Sequence, residues 1–300
     1  MVTRPERLKF RLLISGLSQT GKTTSLPSFI YGPHDFFSTE QDEVLAAIEY
    51  AADKHMVILT CPGEFGFRSL PPDTPHISSY HIETDETDDV KSVQFSIDAL
   101  DVFHSTYQDV MKNKPDIIAF DGIHSLWDHI MNKVTGGLYL QGEDLNYNPL
   151  TGRSDPYRSA KYHDMAHNTF GNVINSYYLS STPLIVCTTW EDWKTAKSDM
   201  DKIGVIESQR YLWPDIPGKM ATRIVGKFDA SVSARLERRC YHSKCEDMAA
   251  NNEHYVWQFL ARGDVRGVGI KGLRPTDKMK QVPYIHQNYE YLKQFIERFV

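Results

Sequence analysis

An α/β fold on a mainly parallel sheet, with helices on both faces and an antiparallel C-terminal addition, is predicted by three features of the sequence. Short apolar runs alternate with helix-length amphipathic stretches through the first two thirds of the chain, and the first of those runs leads directly into a glycine loop. Beyond residue 238 the texture changes to half-exposed alternation, the mark of antiparallel strands. The chain has 300 residues, 41% hydrophobic and 24% charged, which excludes disorder and collagen-like structure.

The elements follow in order. Phe10-Arg-Leu-Leu-Ile-Ser15 reads as a strand buried on both faces, and a helix is expected after the loop Gly16–Thr23. Phe36-Phe-Ser-Thr-Glu40 reads as a second strand, Gln41–His55 as a helix and Met56–Cys61 as a further strand. An acidic turn at Thr84–Asp89 precedes a helix over Val90–Lys112, whose apolar residues Val93, Ile97, Leu100, Phe103, Tyr107 and Val110 recur at helical spacing. After the turn at Lys114-Pro115 comes the strongest strand, Asp116-Ile-Ile-Ala-Phe-Asp121. Thr135–Arg158, rich in Gly, Asn, Pro and Asp, is too long for a routine connection and reads as a functional loop or a local insertion. Ala160–Ser181 reads as a helix, Pro183–Thr189 as a buried strand, Trp190–Pro217 as a charged irregular segment and Gly218–Arg238 as a helix. Arg239–His242 and Tyr255–Ala261 alternate as antiparallel strands, and Asn288–Phe299 closes the chain as an amphipathic helix. Residues 1–238 are thus expected to form the core, with 239–300 packed on it in one compact domain.

No run of about 18 apolar residues occurs, and the N-terminus lacks a long apolar stretch followed by a small-residue cleavage site, so a cytoplasmic protein without membrane contact is expected. Four cysteines in a chain of this length do not make a disulfide scaffold. Cys240 and Cys245 flank His242 without a second ligand pair at zinc spacing, and read as incidental thiols. The net charge of -6 is uneven: residues 201–300 carry 17 Lys and Arg against 12 Asp and Glu, which makes the last third the better place for a polyanion.

Gly16-x4-Gly21-Lys22-Thr23 is a complete Walker A motif between a strand and an expected helix, the context that gives the pattern meaning. Gly16, Leu17, Ser18, Gln19, Thr20, Gly21, Lys22, Thr23 and Thr24 would wrap the phosphates of ATP. Glycines let backbone N–H groups approach the oxygens, Lys22 would reach the β- and γ-phosphates, and the Thr23 hydroxyl would bind magnesium. Asp121, at the end of an apolar strand, fits the second magnesium-holding carboxylate. Glu40 would position the attacking water as a general base, or else simply stabilise the start of the helix at Gln41. Thr188 and Thr189 would end their strand, where they either sense the γ-phosphate or are ordinary β-branched strand residues.

Walker A after the first strand, Ser38-Thr39-Glu40 after the second and Ile118-Ala-Phe-Asp121 before Gly122-Ile-His-Ser125 resemble the core of the RecA-like ATPases. Within these, the arrangement resembles the phage nucleotide-binding proteins of the Sak type, short RecA-core ATPases linked to single-strand annealing and recombination. Pro183–Glu191, Pro214–Lys219 leading to Gly226–Asp229, and Gly269–Arg274 extend the likeness over roughly residues 8–275. The resemblance implies a RecA-like P-loop NTPase fold, ATP hydrolysis with magnesium, and Glu40 as the catalytic base. It also implies DNA contacts by the loops 135–158 and 190–209, and Lys271 and Arg274 acting on a neighbouring subunit's nucleotide in a homo-oligomeric ring or filament. RecA itself has a glutamine after its fourth strand, where this chain has Thr189-Trp190.

Single-stranded DNA and a single-strand-binding or annealing protein are the partners implied, in a phage-infected host cytoplasm. Tyr139, Tyr147 and Tyr157 would stack on bases beside Arg153, Arg158 and Lys161, or would pin the loop. The function expected is ATP-driven phage DNA recombination, annealing or replication. The alternatives are an ATP-regulated switch with little hydrolysis, and a DNA-packaging or other P-loop motor.

Overall fold

The computed structural model describes residues 9–64, 69–71, 73–82, 89–178, 180–195, 210–216, 224–238, 254–261 and 265–300. In chain order the elements are β1 (Phe10–Gly16), α1 (Ser28–Tyr31), α2 (Gln41–Ala51), β2 (Met56–Thr60), β3 (Ile77–Tyr80), α3 (Asp89–Lys112), β4 (Ile117–Asp121), α4 (Ser125–Thr135), β5 (Tyr147–Asn148), β6 (Arg153–Ser154), α5 (Pro156–Tyr178), β7 (Leu184–Thr195), β8 (Arg210–Pro214), β9 (Ala230–Glu237), β10 (His254–Gln258), β11 (Gly269–Ile270), α6 (Asp277–Gln281), β12 (Tyr284–His286) and α7 (Tyr289–Phe299). They divide into two units, one made chiefly of His55–Cys187 and the other of Phe10–Lys54, Thr188–Ile216 and Ala221–Val300.

In the unit around His55–Cys187 every pairing of the main sheet is parallel: β2 lies between β3 and β4, and β4 pairs with the first residues of β7. Met-Val-Ile-Leu-Thr of β2 and Ile-Ile-Ala-Phe-Asp of β4 are buried at every position, as strands covered on both sides must be. The helices α3, α4 and α5 pack in succession, and Phe103, Phe120 and Tyr177 form their aromatic core, with Phe120 and Tyr177 stacked at 3.9 Å.

In the other unit β1 runs parallel to β9, β9 is antiparallel to β10 and β11, and β10 is antiparallel to β12. Trp257 is fully buried beside Phe29, and α7 turns Tyr291, Leu292 and Phe295 inward. The mainly parallel sheet with an antiparallel C-terminal addition is therefore as the sequence predicts.

Four expectations are corrected. Phe36–Glu40 is not a strand: Asp35 Oδ1 accepts from Phe37 N and Ser38 Oγ accepts from Glu40 N, so local side chains take the N–H groups that a sheet would need. The second strand is Met56–Thr60. The helix after the glycine loop is only α1, four residues long, because Pro27 has no N–H to give; the chain before it runs as turns with bonds such as Leu26 N to Thr23 O. Ala230–Glu237, expected within a helix, is a strand, since the small residues Ala230-Ser-Val-Ser-Ala234 fill the tight slot between β1 and β10. Thr188 and Thr189 lie inside β7, not at its end, and part of the expected irregular segment is regular: Glu191–Thr195 pairs antiparallel with β8. The expected strand Arg239–His242 and the Cys240–Cys245 segment lie outside the described residues. Among the described residues no helix is long and apolar enough to cross a membrane.

Candidate nucleotide site

The Walker A loop leaves the buried end of β1 and is held in shape by side chain to backbone bonds. Thr20 Oγ1 donates to Leu17 O at 2.8 Å, Thr24 Oγ1 to Gly21 O at 3.1 Å and Ser25 Oγ to Lys22 O at 2.7 Å. The Lys22 ammonium crosses the loop, donating to Gly16 O at 2.9 Å and Leu17 O at 2.7 Å, which centres its charge where phosphate oxygens would gather. Gly21 has φ +82°, and a Cβ there would sit 2.8 Å from Gln287 Oε1 and 2.9 Å from Tyr255 Cδ1. The motif's second glycine is thus required twice, by backbone conformation and by close approach.

Two distant polar groups brace this loop. Gln287 Nε2 donates to Thr20 O at 2.9 Å and to Val256 O at 3.0 Å, tying the loop to β10. One residue before the loop, Ser15 Oγ donates to Glu191 Oε1 at 2.7 Å, while Arg235 meets Glu191 Oε2 at 2.5 Å. The Glu191 side chain is 0% exposed, so it is a buried carboxylate neutralised by the Arg235 guanidinium.

The other unit carries an acidic corner. Asp121, at the end of β4, is 3% exposed, and its carbonyl accepts from Cys61 N at 2.9 Å. Four residues past β2, Glu64 Oε1 lies 2.8 Å from His124 Nε2, both side chains nearly buried. A Cβ on Gly122 would fall 2.1 Å from Glu64 Cγ, so a glycine after Asp121 is what lets the Glu64 side chain lie there. Burial, with the carboxylates Asp121 and Glu64 nearby, pushes the Cys61 thiol well above its ordinary pKa and keeps it neutral. The loop carrying Glu64 is anchored by His129, whose Nε2 lies 3.1 Å from Pro62 O and whose Nδ1 lies 3.0 Å from Ser96 Oγ. Burial lowers the His129 pKa, which keeps the ring neutral and leaves one nitrogen to donate and the other to accept.

The remaining sequence candidates are placed as follows. Glu40 is exposed and begins α2 as its N-cap residue, with its carbonyl accepting from Val44 N and its side chain making no capping bond. Thr188 and Thr189 are buried, and Thr189 Oγ1 donates to Asp215 O at 3.1 Å. Lys271 Nζ lies 3.7 Å from Asp229 Oδ1 of the same chain and, like Arg274, is exposed. In the long loop Tyr147 and Tyr157 are exposed on and beside the β5–β6 hairpin, and Arg158 donates to Tyr147 O. Sequence reasoning missed Glu64 and Glu191. The available signal for Glu64 was its place four residues past the buried strand Met56–Thr60; Glu191 offered none, because its partners lie on other strands.

An intact Walker A loop leaving the first strand of a mainly parallel α/β sheet defines a P-loop protein. No family model and no curated protein matches the chain. Among solved structures it is similar to the flagellar accessory protein FlaH from Methanocaldococcus jannaschii, at 10% identity, covering 84% of this chain and 78% of that one, with a TM-score of 0.33. It is also similar to the Legionella pneumophila ATPase DotB, at 10% identity over 83% of this chain and 44% of that one, with a TM-score of 0.26.

Proposed function

We propose that this protein binds ATP on its Walker A loop and hydrolyses it, and that the work done is recombination or annealing of single-stranded DNA. The observation that carries the reading is the loop itself: Lys22 folded across it, and Gly21 closed against a Cβ. Thr23 in one unit offers a hydroxyl oxygen and Asp121 in the other a carboxylate, each a donor of the kind that magnesium takes and that, with the metal bound, would help neutralise phosphate charge. Lys22 would draw negative charge from the γ-phosphate as water attacks phosphorus and the bond to the β,γ-bridging oxygen breaks. The water's proton would pass to a carboxylate.

Two carboxylates compete for that last role. Glu40 is favoured by the resemblance; Glu64 is favoured by its position after the second strand, beside the turn that follows Asp121. His124 at 2.8 Å would orient Glu64. The DNA reading is supported by the exposed rings of Tyr147 and Tyr157, suited to stacking on unpaired bases, and by the RecA-like motifs. A trans-acting role for the exposed Lys271 and Arg274 in an oligomer belongs to the same proposal.

The test is ATP turnover by the purified protein with and without single-stranded DNA, using Lys22→Ala as the blank. Stimulation by DNA and loss of turnover in Lys22→Ala are expected. Of Glu40→Gln and Glu64→Gln, the variant that removes the base should lose about 100-fold or more in turnover while still binding ATP. DNA-independent binding without turnover in the wild type would instead indicate an ATP-regulated switch.

A further inference from the structure

The β7–β8 ribbon carries an indole that neither the fold nor the chemistry proposed above uses. Trp193 is 48% exposed, and its ring has no hydrogen-bond or ring partner among the described residues. Indoles of this kind are frequent anchors of protein interfaces, because they bury a large apolar area and carry one donor. The backbone that presents it is fixed. Trp193 pairs with Leu212 across the ribbon, Arg266 N donates to Leu212 O at 3.0 Å, and Asp215 N donates to Trp190 O at 2.7 Å. A rigidly held anchor loses little freedom on binding. Beside it the charge is positive: Lys194 is paired with Asp192 at 3.0 Å, and the exposed Arg266 lies over the Tyr211 ring at 4.5 Å, one position from Leu212. Trp190 is also 48% exposed but stands three positions away, on the opposite face of the ribbon, so the two indoles do not form one track on which successive bases of a single strand would stack.

The same unit holds a cleft of about 710 Å3 whose surface is the complement of this anchor. Phe37 and Tyr255, 44% and 48% exposed, give it aromatic walls; Asp35 and Glu43 give it carboxylates, and no lysine or arginine lines it. Asp35 Oδ1 and Glu43 Oε1 accept from the backbone N–H groups of Phe37 and Asp35, which holds both side chains in place. An aromatic, acidic hollow of this size accommodates an indole, accepts its N–H and attracts the cation beside it.

We infer that Trp193 of one copy of the chain docks in this cleft of a second copy, with Arg266 directed towards Asp35 and Glu43. Ribbon and cleft are different patches of one surface, so the contact is head-to-tail and propagates into a ring or filament. It gives the oligomer proposed above a contact and does not depend on bound ATP.

The experiment is sedimentation velocity of the full chain as wild type, Trp193→Ala, Phe37→Arg and an equal mixture of the two variants. The wild type should associate beyond a dimer as concentration rises, and each variant alone should associate at least about tenfold more weakly. The mixture should form a one-to-one dimer and nothing larger, since one variant keeps the cleft and the other keeps the ribbon. Association of the wild type should also weaken between about 50 mM and about 500 mM salt. A wild type that stays monomeric up to about 100 μM, undiminished association of Trp193→Ala, or a mixture without the dimer overturns the inference. ATP binding by Trp193→Ala should equal that of the wild type, so failure of this contact and failure of the nucleotide reading are told apart.

Discussion

The Walker A loop and the acidic corner at Asp121 are stabilised by opposite means. The loop is short-range: Thr20, Lys22, Thr24 and Ser25 all bond to backbone within six residues of themselves. The corner is long-range and assembled from charge, with Glu64 from the loop after one strand, Asp121 from the end of its parallel neighbour and His124 paired to Glu64. A loop satisfied by its own backbone tolerates the loss of any one hydroxyl. A corner of nearly buried ionisable groups does not, because each partner left behind is an uncompensated polar group.

The contrast is broken most severely where the loop departs from its own rule, at the buried Glu191 beneath Ser15. Glu191→Ala leaves Arg235 without its counter-charge and should destabilise the fold by about 3–5 kcal/mol, read from chemical denaturation, with a comparable loss for Arg235→Ala. Truncating both together should cost less than the sum of the singles, which a double-mutant cycle would measure. Equal additive losses would show that the pair is not coupled.

A smaller effect is expected at Gly122, where φ is +82° and Glu64 fills the space a side chain would need. Gly122→Ala should cost about 1–2 kcal/mol through backbone conformation alone, and it should displace Glu64 from His124. If Glu64 is the base, turnover falls in Gly122→Ala more than ATP affinity does; if Glu40 is the base, turnover falls only with stability.

The mildest test is acid. Burial lowers the pKa of both His129 and His104, so the unfolded chain binds protons that the folded chain resists. Their neutral forms cost nothing above the ordinary histidine pKa of about 6.5, and stability is lost as pH falls below it. The melting temperature should drop between neutral pH and about pH 5.5, and His129→Gln should flatten part of that slope. A slope unchanged in the variant would remove His129 from the account.

The same contrast explains what could be read from sequence. Walker A was legible because its strand, loop and hydroxyls are contiguous, and Asp121 because it ends an unbroken apolar strand. Glu64 stayed hidden because its relation to Asp121 exists only through the parallel pairing of β2 with β4. The turn at Phe36–Glu40 was misread because aromatic and β-branched composition resembles a strand, whereas Asp35 and Ser38 decide the backbone. The strand Ala230–Glu237 was misread for the reverse reason, since alanine and arginine favour helices and only the neighbouring strands impose an extended conformation.

Gln287 donates to Thr20 O across 267 positions of sequence, and its neighbour Asn288 both donates to Gly32 O and caps α7 by accepting from Glu290 N. The two ends of the glycine loop's helical extension are therefore gripped by consecutive residues at the root of the C-terminal helix. A ligand that shifted the loop would pull on the root of that helix, so a reporter dye at exposed Gln294 should respond to occupancy without touching the loop.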